Sequence, residues 1–402
     1  MLGKDMKGFL ERQSENFKIL LVKKVGNGFI DGFVGQYTSL YQRALGADLF
    51  QLGFLSSIGR FISGIMSIPL GWLLDRYSLR KMMLVGMIIE VFVPLFYALS
   101  WDWVLLIPTV ILSSVVMTEA SSIFNIYLAN SLKDRDRASG FGVTQSLSTI
   151  GGLITPVIAA YMMTRTGGVG VESLRPLFYI QVIGLILLSI VVFWKLKEEK
   201  LAPPNQRTTL HSFFRDFSQI FKENQGLKTF VFLDSSNTFM QSLMMPFNMV
   251  FATEIKQASP MILGYMVVAF NLFTLLFPFP VGKLADRIGR KKSILLTRPV
   301  MYAYILIFVF APTPAWLILA WALAGFPYQW VLWSTLTMEM VPREMRGRWT
   351  GLLAFIRGFT TILAPIVGAW LWETYGASTP FLFAIAFDLL IRMPIFARIP
   401  KR

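Results

Sequence analysis

Stretches of about 20 apolar residues, each ended by a short charged turn, recur along the whole chain. A helix of that length crosses the hydrocarbon core of a bilayer. The runs are continuous rather than alternating, which argues against a β-barrel. Only 15% of the 402 residues are charged, against roughly 25% in a soluble domain. Spans are expected near 17–42, 49–74, 82–100, 104–130, 139–163, 173–195, 228–253, 261–285, 293–311, 314–340, 349–372 and 378–397. An all-α polytopic membrane protein with twelve transmembrane helices follows.

Composition removes several kinds of chemistry. There is no cysteine and one histidine, His211, so Cys-ligated and His-cluster metal sites are excluded, and no metal or cofactor is expected. No phosphate loop or nucleophile elbow occurs, so neither ATP-driven transport nor an enzyme is expected. The net charge of +15 lies in loops, without a basic stripe carrying interleaved aromatics. It suits anionic lipid headgroups rather than nucleic acid. The opening MLGKDMKGFLERQSENFK has no apolar core, so no cleaved signal peptide is expected.

Lys and Arg concentrate in the N-terminal tail, in alternate loops and in the C-terminal tail. Only Arg43, Arg165, Arg175 and Lys256 fall in the opposite loops. The positive-inside rule then puts both termini in the cytoplasm, in a plasma-membrane protein. The longest connector, 196–227, is Pro-rich and then amphipathic (LHSFFRDFSQIF). A helix lying on the inner membrane face is expected there. It separates an N-terminal bundle, 1–195, from a C-terminal one, 228–402.

The halves repeat. GKLADRIGRKK at Gly282–Lys292 has a cousin, GWLLDRYSLRK, at Gly71–Lys81, 211 positions earlier; Gly140 and Gly351 share that offset, as do Arg137 and Arg348. Span 5 carries Pro156 and span 11 carries Pro365 among small residues. Two parallel six-helix halves about an axis along the membrane normal are implied.

These residues resemble the major facilitator superfamily, whose turn between spans 2 and 3 reads G-x-x-x-D-R-x-G-R-[RK]. Gly282, Asp286, Arg287, Gly289, Arg290 and Lys291 match it fully. The first copy keeps Gly71, Asp75, Arg76 and Arg80, with Ser78 and Leu79 replacing Gly and Arg. The resemblance implies a secondary transporter working by alternating access. It also implies a latch at this turn, in which Gly71 and Gly282 let the halves approach and Asp75 and Asp286 accept hydrogen bonds from the neighbouring half. The bases that follow are expected at the headgroups.

In the family's architecture spans 1, 4, 7 and 10 line a central cavity and spans 2, 5, 8 and 11 form the seam. An ionisable group at mid-bilayer costs about 2.5–3.5 kcal/mol on insertion scales, so each must face protein or water. Asp31, between Gly28 and Gly35, and Glu119 are the candidate proton carriers, the glycines letting backbone approach a ligand. Asp234 is the repeat mate of Lys23 and is expected to pair with Lys23 or Lys24 as a gate. Arg60 and Arg357 either bind substrate or pair with acids, Arg60 with Asp31 in particular. Gln36, Tyr37, Asn125, Asn237, Gln241, Asn248, Asn271, Tyr328, Gln329 and Trp330 complete the candidate pocket. Asp388 and Arg392, one turn apart, are expected to neutralise each other.

The substrate expected is a small organic solute moved with protons by a monomer. The acids favour export of amphipathic cations, and the arginines favour a metabolite anion. A non-transporting receptor on the same scaffold is a remote alternative.

Overall fold

A computed structural model describes residues 9–74, 77–133, 136–198, 227–326, 333 and 346–398; for 67–74, 118–122, 138, 346–348, 350 and 351 the description is of backbone. No strand occurs among the described residues.

Helix α1 (Glu15–Asp31) starts where the Ser14 hydroxyl accepts the Phe17 N–H at 3.1 Å, a side-chain N-cap. Turns over residues 32–37 interrupt the first span, which resumes as α2 (Thr38–Ala44). Five uninterrupted helices follow: α3 (Leu49–Leu74), α4 (Leu79–Leu99), α5 (Leu106–Asn130), α6 (Arg137–Arg165) and α7 (Val171–Lys195).

The second half is more broken. Helix α8 (Leu227–Met244) passes into a 3₁₀ turn at Met245–Phe247, which contains Pro246, and then into a π turn at Phe251–Ile255. Helices α9 (Pro260–Leu276) and α10 (Pro278–Ile288) meet at 43°, because Pro278 can donate no N–H and starts a new first turn. Gly289 ends α10 at φ +85°, a conformation that favours glycine. Then come α11 (Arg290–Phe310), α12 (Trp316–Ala324), α13 (Arg346–Thr360), α14 (Ala364–Tyr375), α15 (Thr379–Phe387), a π turn at Asp388–Arg392, and α16 (Met393–Arg398). Seven helices among the described residues are long and apolar enough to cross a bilayer, and the bent α9–α10 pair makes an eighth. The expected connector helix falls in residues 199–226, outside the described residues.

Within the first half α1 packs on α6 and α7, α3 on α5, and α4 on α5 and α7. Lipid tails are as apolar as these side chains, so close packing rather than removal from water holds such helices together. Gly28 and Gly32 show how. A Cβ on Gly28 would lie 2.4 Å from the Ser148 carbonyl oxygen, and one on Gly32 2.0 Å from Thr155 Oγ1. These glycines bring α1 onto α6; the expectation that they admit a ligand beside Asp31 is corrected.

Two seams join the halves: α6 lies along α9, and α3 along α13 and α14. Exchanging the halves exchanges the seams, as the sequence repeat requires. Asn271 Nδ2 donates to the Gly152 carbonyl at 3.1 Å across the first seam. Gly64 and Gly358 meet in the second, where a Cβ on Gly358 would stand 3.0 Å from Gly64 Cα.

The core is arranged unequally along the membrane normal. One cluster of buried residues at the end far from the termini draws on both halves, from Tyr37, Tyr41 and Phe178 to Phe247, Phe251 and Phe381. At the termini end there are two clusters, one built from residues 17–196 and one from 227–396. Among the described residues the core is therefore shared by the halves at the far end and divided between them at the termini end.

Candidate functional site: a cavity between the halves

Between the shared and the divided parts of the core lies a cavity of about 1080 Å³, at the upper end of small-molecule sites. Helices α2, α3 and α5 wall it on one side, and α8, α9, α12 and α13 on the other. Its lid at the far end is an ion pair between the halves. Arg43 Nε donates to Glu254 Oε1 at 2.8 Å and Nη2 to Oε2 at 3.1 Å, the bidentate form of an arginine–carboxylate contact.

Five of the expected residues reach the cavity: Gln36, Arg60, Gln241, Asn248 and Arg357. Arg60 comes from α3 and Arg357 from α13; they flank the Gly64–Gly358 contact on opposite sides of the seam. No carboxylate contacts Arg60 among the described residues, and the neighbour it reaches is Met245 Sδ, 3.7 Å from Nη2. The expected pairing of Arg60 with Asp31 does not form. Arg357 is differently placed. Its Nε donates to Asp234 Oδ2 at 2.5 Å and Nη2 to Oδ1 at 2.6 Å, and Trp333 Nε1 donates to Oδ1 at 2.6 Å. Asp234 is 2% exposed, whereas the Arg357 side chain is 38% exposed and faces the cavity.

That geometry corrects the expected gate. Asp234 does not meet Lys23 or Lys24. Lys23 Nζ lies 3.6 Å from Glu90 Oε2, whose other oxygen accepts from Asn27 Nδ2 at 2.9 Å. Lys24 stands over the Phe124 ring, 5.5 Å from its centre. Asp31 is also off the cavity wall, accepting from Gln181 Nε2 on α7 at 3.1 Å. Lys23, Glu90 and Asp31 thus lie among α1, α4 and α7 rather than in the cavity wall.

Four further pocket candidates are placed elsewhere. Tyr37 is buried and donates to the Pro156 carbonyl at 3.2 Å. Asn271 joins the seam, Asn125 is exposed away from the cavity wall, and Asn237 is half-buried off it. Tyr328, Gln329, Trp330, Asp75 and Arg76 lie outside the described residues, and of Glu119 and Gly71 the helical backbone alone is described.

The described wall is otherwise hydroxyls, thioethers and rings. Ser56 and Ser63 share a face of α3 with Arg60, and Met244, Met245, Tyr304 and Trp321 add apolar surface. Spacings of four and three at Ser56, Arg60 and Ser63 mark one helical face, a signal the sequence reading left unused. Among the described lining residues there is no Asp or Glu.

The second charged turn is described, and the first in part. Asp286 and Arg287 are exposed with no partner among the described residues, and a Cβ on Gly282 would meet nothing within 4 Å. Helix α10 packs on α9 and α11 of its own half. Close approach of the halves at Gly282 is therefore absent among the described residues. The bases have a different task from the headgroup contact expected of them. Arg80 Nε donates to the Leu196 carbonyl at 2.7 Å and Nη2 to that of Phe193 at 3.3 Å, just past and near the end of α7. Lys291, 211 positions later, donates to the Ala397 carbonyl at 2.7 Å near the end of α16. Each caps the last helix of its half, where carbonyls lack intrahelical partners.

The profile of the Major Facilitator Superfamily matches residues 25–251 and 230–398. The chain belongs to that superfamily. Its all-α architecture of two six-helix bundles about a pseudo-twofold axis is the superfamily fold. An uncharacterized MFS-type transporter of Methanocaldococcus jannaschii is 22% identical over 347 residues, covering 82% of this chain and 81% of the relative. A second from that organism is 18% identical over 381 residues, covering 92% and 94%. Among solved structures the nucleoside transporter NupG superposes with TM-score 0.77 at 15% identity, over 97% of this chain and 100% of that one. A D-xylose-proton symporter does so with TM-score 0.69 at 14% identity, over 96% and 98%. The superfamily member described here is accordingly an integral membrane transporter of small solutes and not an enzyme.

Proposed function

We propose that this transporter carries a small organic anion, with an apolar body and a carboxylate or phosphate head, by alternating access through the central cavity. The observation that carries this reading is Arg60. It faces a cavity between membrane helices, has no acid partner among the described residues, and shares a described wall that carries no carboxylate. A guanidinium held in a low-dielectric site without a counter-ion is costly, and an anion supplies the missing charge with two parallel hydrogen bonds. The ring and thioether surface of Met244, Met245, Tyr304 and Trp321 suits the rest of such a solute. Export of amphipathic cations drew its support from acids in the cavity. Asp31, the one of the two whose side chain is described, is turned to Gln181 instead, which favours the anion.

The halves 1–195 and 228–402 rock about the two seams. The distribution of Lys and Arg supports termini in the cytoplasm of a plasma-membrane protein. In that orientation the arrangement described is closed to the outside by Arg43 and Glu254. Asp286 and Arg287, exposed in the arrangement described, fit a latch that engages in the other state.

Proteoliposomes containing the purified chain test this reading. Labelled lactate, succinate and citrate are offered on one side, and the cationic dye ethidium in a parallel series. Saturable flux of at least one anion, lost in Arg60→Gln, is expected. Saturable flux of the dye with no anion flux would overturn it.

A further inference from the structure

The proposed anion reading leaves one feature unused, the sulfur that stands against Arg60. The chain has 20 methionines and no cysteine. Among the described residues two methionines are exposed, Met117 at 71% and Met245 at 65%, and both line the cavity. The other described methionines are buried or half-buried. Met117 comes from α5. Met245 opens the 3₁₀ turn that follows α8, and its Sδ lies 3.7 Å from Arg60 Nη2 on the other half.

The backbone that carries Met245 is held in place. Pro246 and Phe247, next in the turn, are buried. The Phe247 ring packs 5.8 Å from that of Trp372 on α14. A Cβ on Gly368 of α14 would stand 2.2 Å from the Leu243 carbonyl oxygen and 2.8 Å from the Phe247 ring. The end of α8 is thus pressed against α14 on both sides of Met245. That packing fixes where the side chain starts, so its sulfur remains within reach of the guanidinium.

A thioether sulfur is a weak acceptor, so an anion that enters displaces it from Arg60 at little cost. The oxidised side chain behaves differently, because a sulfoxide is polar and its oxygen accepts hydrogen bonds. An oxygen added to Met245 Sδ on the side of Arg60 comes within hydrogen-bond distance of Nη2. We propose that Met245 is an oxidation site that regulates anion binding: two-electron oxidation by a peroxide, hydrogen peroxide in the simplest case, places a sulfoxide oxygen on Arg60 and closes the guanidinium to substrate. In this step the sulfur lone pair attacks one peroxide oxygen, an S–O bond forms and the O–O bond breaks. The proton on the transferred oxygen passes to the departing hydroxide, which leaves as water. Sulfur is oxidised, peroxide is reduced, and no further reactant is needed. A cavity that admits an organic solute also admits so small an uncharged oxidant. With no cysteine in the chain to react first, methionine sulfur is where it acts. Met117 is the internal comparison. No hydrogen bond joins it to Arg60 among the described residues, so its oxidation makes the wall more polar without occupying the guanidinium.

The inference rests on the anion reading, and one experiment separates the two. Purified full-length transporter is treated with hydrogen peroxide for increasing times. Each sample is divided between peptide mass spectrometry and equilibrium binding of citrate. Met245 and Met117 are expected to gain oxygen ahead of the buried methionines. Citrate affinity should fall in step with Met245 by about tenfold or more, the factor expected where the anion must break a hydrogen bond to a charged group. Each variant is compared with its own untreated sample. Peroxide should leave the affinity of Met245→Leu where it was, and the fall should remain in Met117→Leu. Unchanged citrate affinity in wild-type protein whose Met245 is fully oxidised would overturn the inference, and that result needs no variant. So would a Met245 that reacts no faster than the buried methionines, or a fall of the same size in Met245→Leu. These three results leave the anion reading standing. If untreated wild-type protein binds none of lactate, succinate and citrate, the anion reading fails and this inference fails with it.

Discussion

Arg43 and Glu254 stand 211 positions apart, the offset of the internal repeat, and they meet in a bidentate ion pair of 2.8 and 3.1 Å. Residues at equivalent places in the two halves can touch only beside the axis that relates them. The pair therefore marks the pseudo-twofold axis at the far end of the molecule, and it ties together the last turns of spans 1 and 7.

A partly exposed pair of this kind is worth about 0.2–1 kcal/mol. Glu254→Gln should shift the balance toward a far-open state by up to about fivefold. The chain has no cysteine, so a single Ser39→Cys in the cavity reports opening through its rate of reaction with an impermeant maleimide added on the far side. The rate should rise in Glu254→Gln and fall back in the reversed pair Arg43→Glu with Glu254→Arg. An unchanged rate would show that the shared apolar core alone closes that end.

The contact between α1 and α6 yields a stability prediction. In Gly28→Ala the new methyl lands 2.4 Å from a backbone carbonyl, that of Ser148, so helix must move rather than a side chain rotate. Overpacking of this sort costs about 1–3 kcal/mol. Thermal unfolding in detergent should shift downward by several degrees. Gly142, where a Cβ would meet nothing within 4 Å, is the control position, and Gly142→Ala should leave the transition unmoved.

Much of this architecture is legible in the sequence because a bilayer allows so few solutions. Runs such as residues 173–195 must be helices, and the repeat of Gly71–Lys81 at Gly282–Lys292 fixes how the halves correspond. Asp388 and Arg392 could be paired from their spacing alone. Asp234 could not be placed, because the repeat relates it to Lys23 while its actual partner, Arg357, depends on how α13 lies against α8. Asp31 misled for a similar reason. Its depth in span 1 is readable, but the side on which it emerges is set by Gly28 and Gly32 pressing α1 onto α6. A repeat gives axial position well and rotation about the helix axis poorly. Arg80 and Lys291 carry the same lesson, since their carbonyl partners lie at the ends of helices more than a hundred residues away.

Asp388 is the most heavily committed acid among the described residues. It holds Arg298 and Arg392 and accepts from the Tyr302 hydroxyl at 2.6 Å. Asp388→Asn removes the carboxylate that holds two buried guanidinium groups, a loss of about 3–5 kcal/mol. The variant should give little monodisperse protein on size exclusion in detergent. Asp388→Asn combined with Arg392→Met, which leaves a single positive charge as in the wild-type cluster, should recover part of that yield. Equal yield from wild type and Asp388→Asn would contradict the balance described.

The central claim is that the cavity recognises negative charge through Arg60. Its most direct measurement is equilibrium binding of succinate and citrate to the purified transporter, compared between wild type and Arg60→Gln. A hydrogen-bonded charge contact of this type is worth about 1.5–3 kcal/mol, so affinity should fall by about 10- to 150-fold in the variant while the unfolding temperature stays near that of wild type. Anion affinity that is the same in both proteins, or saturable binding of ethidium with none of either anion, would contradict the account.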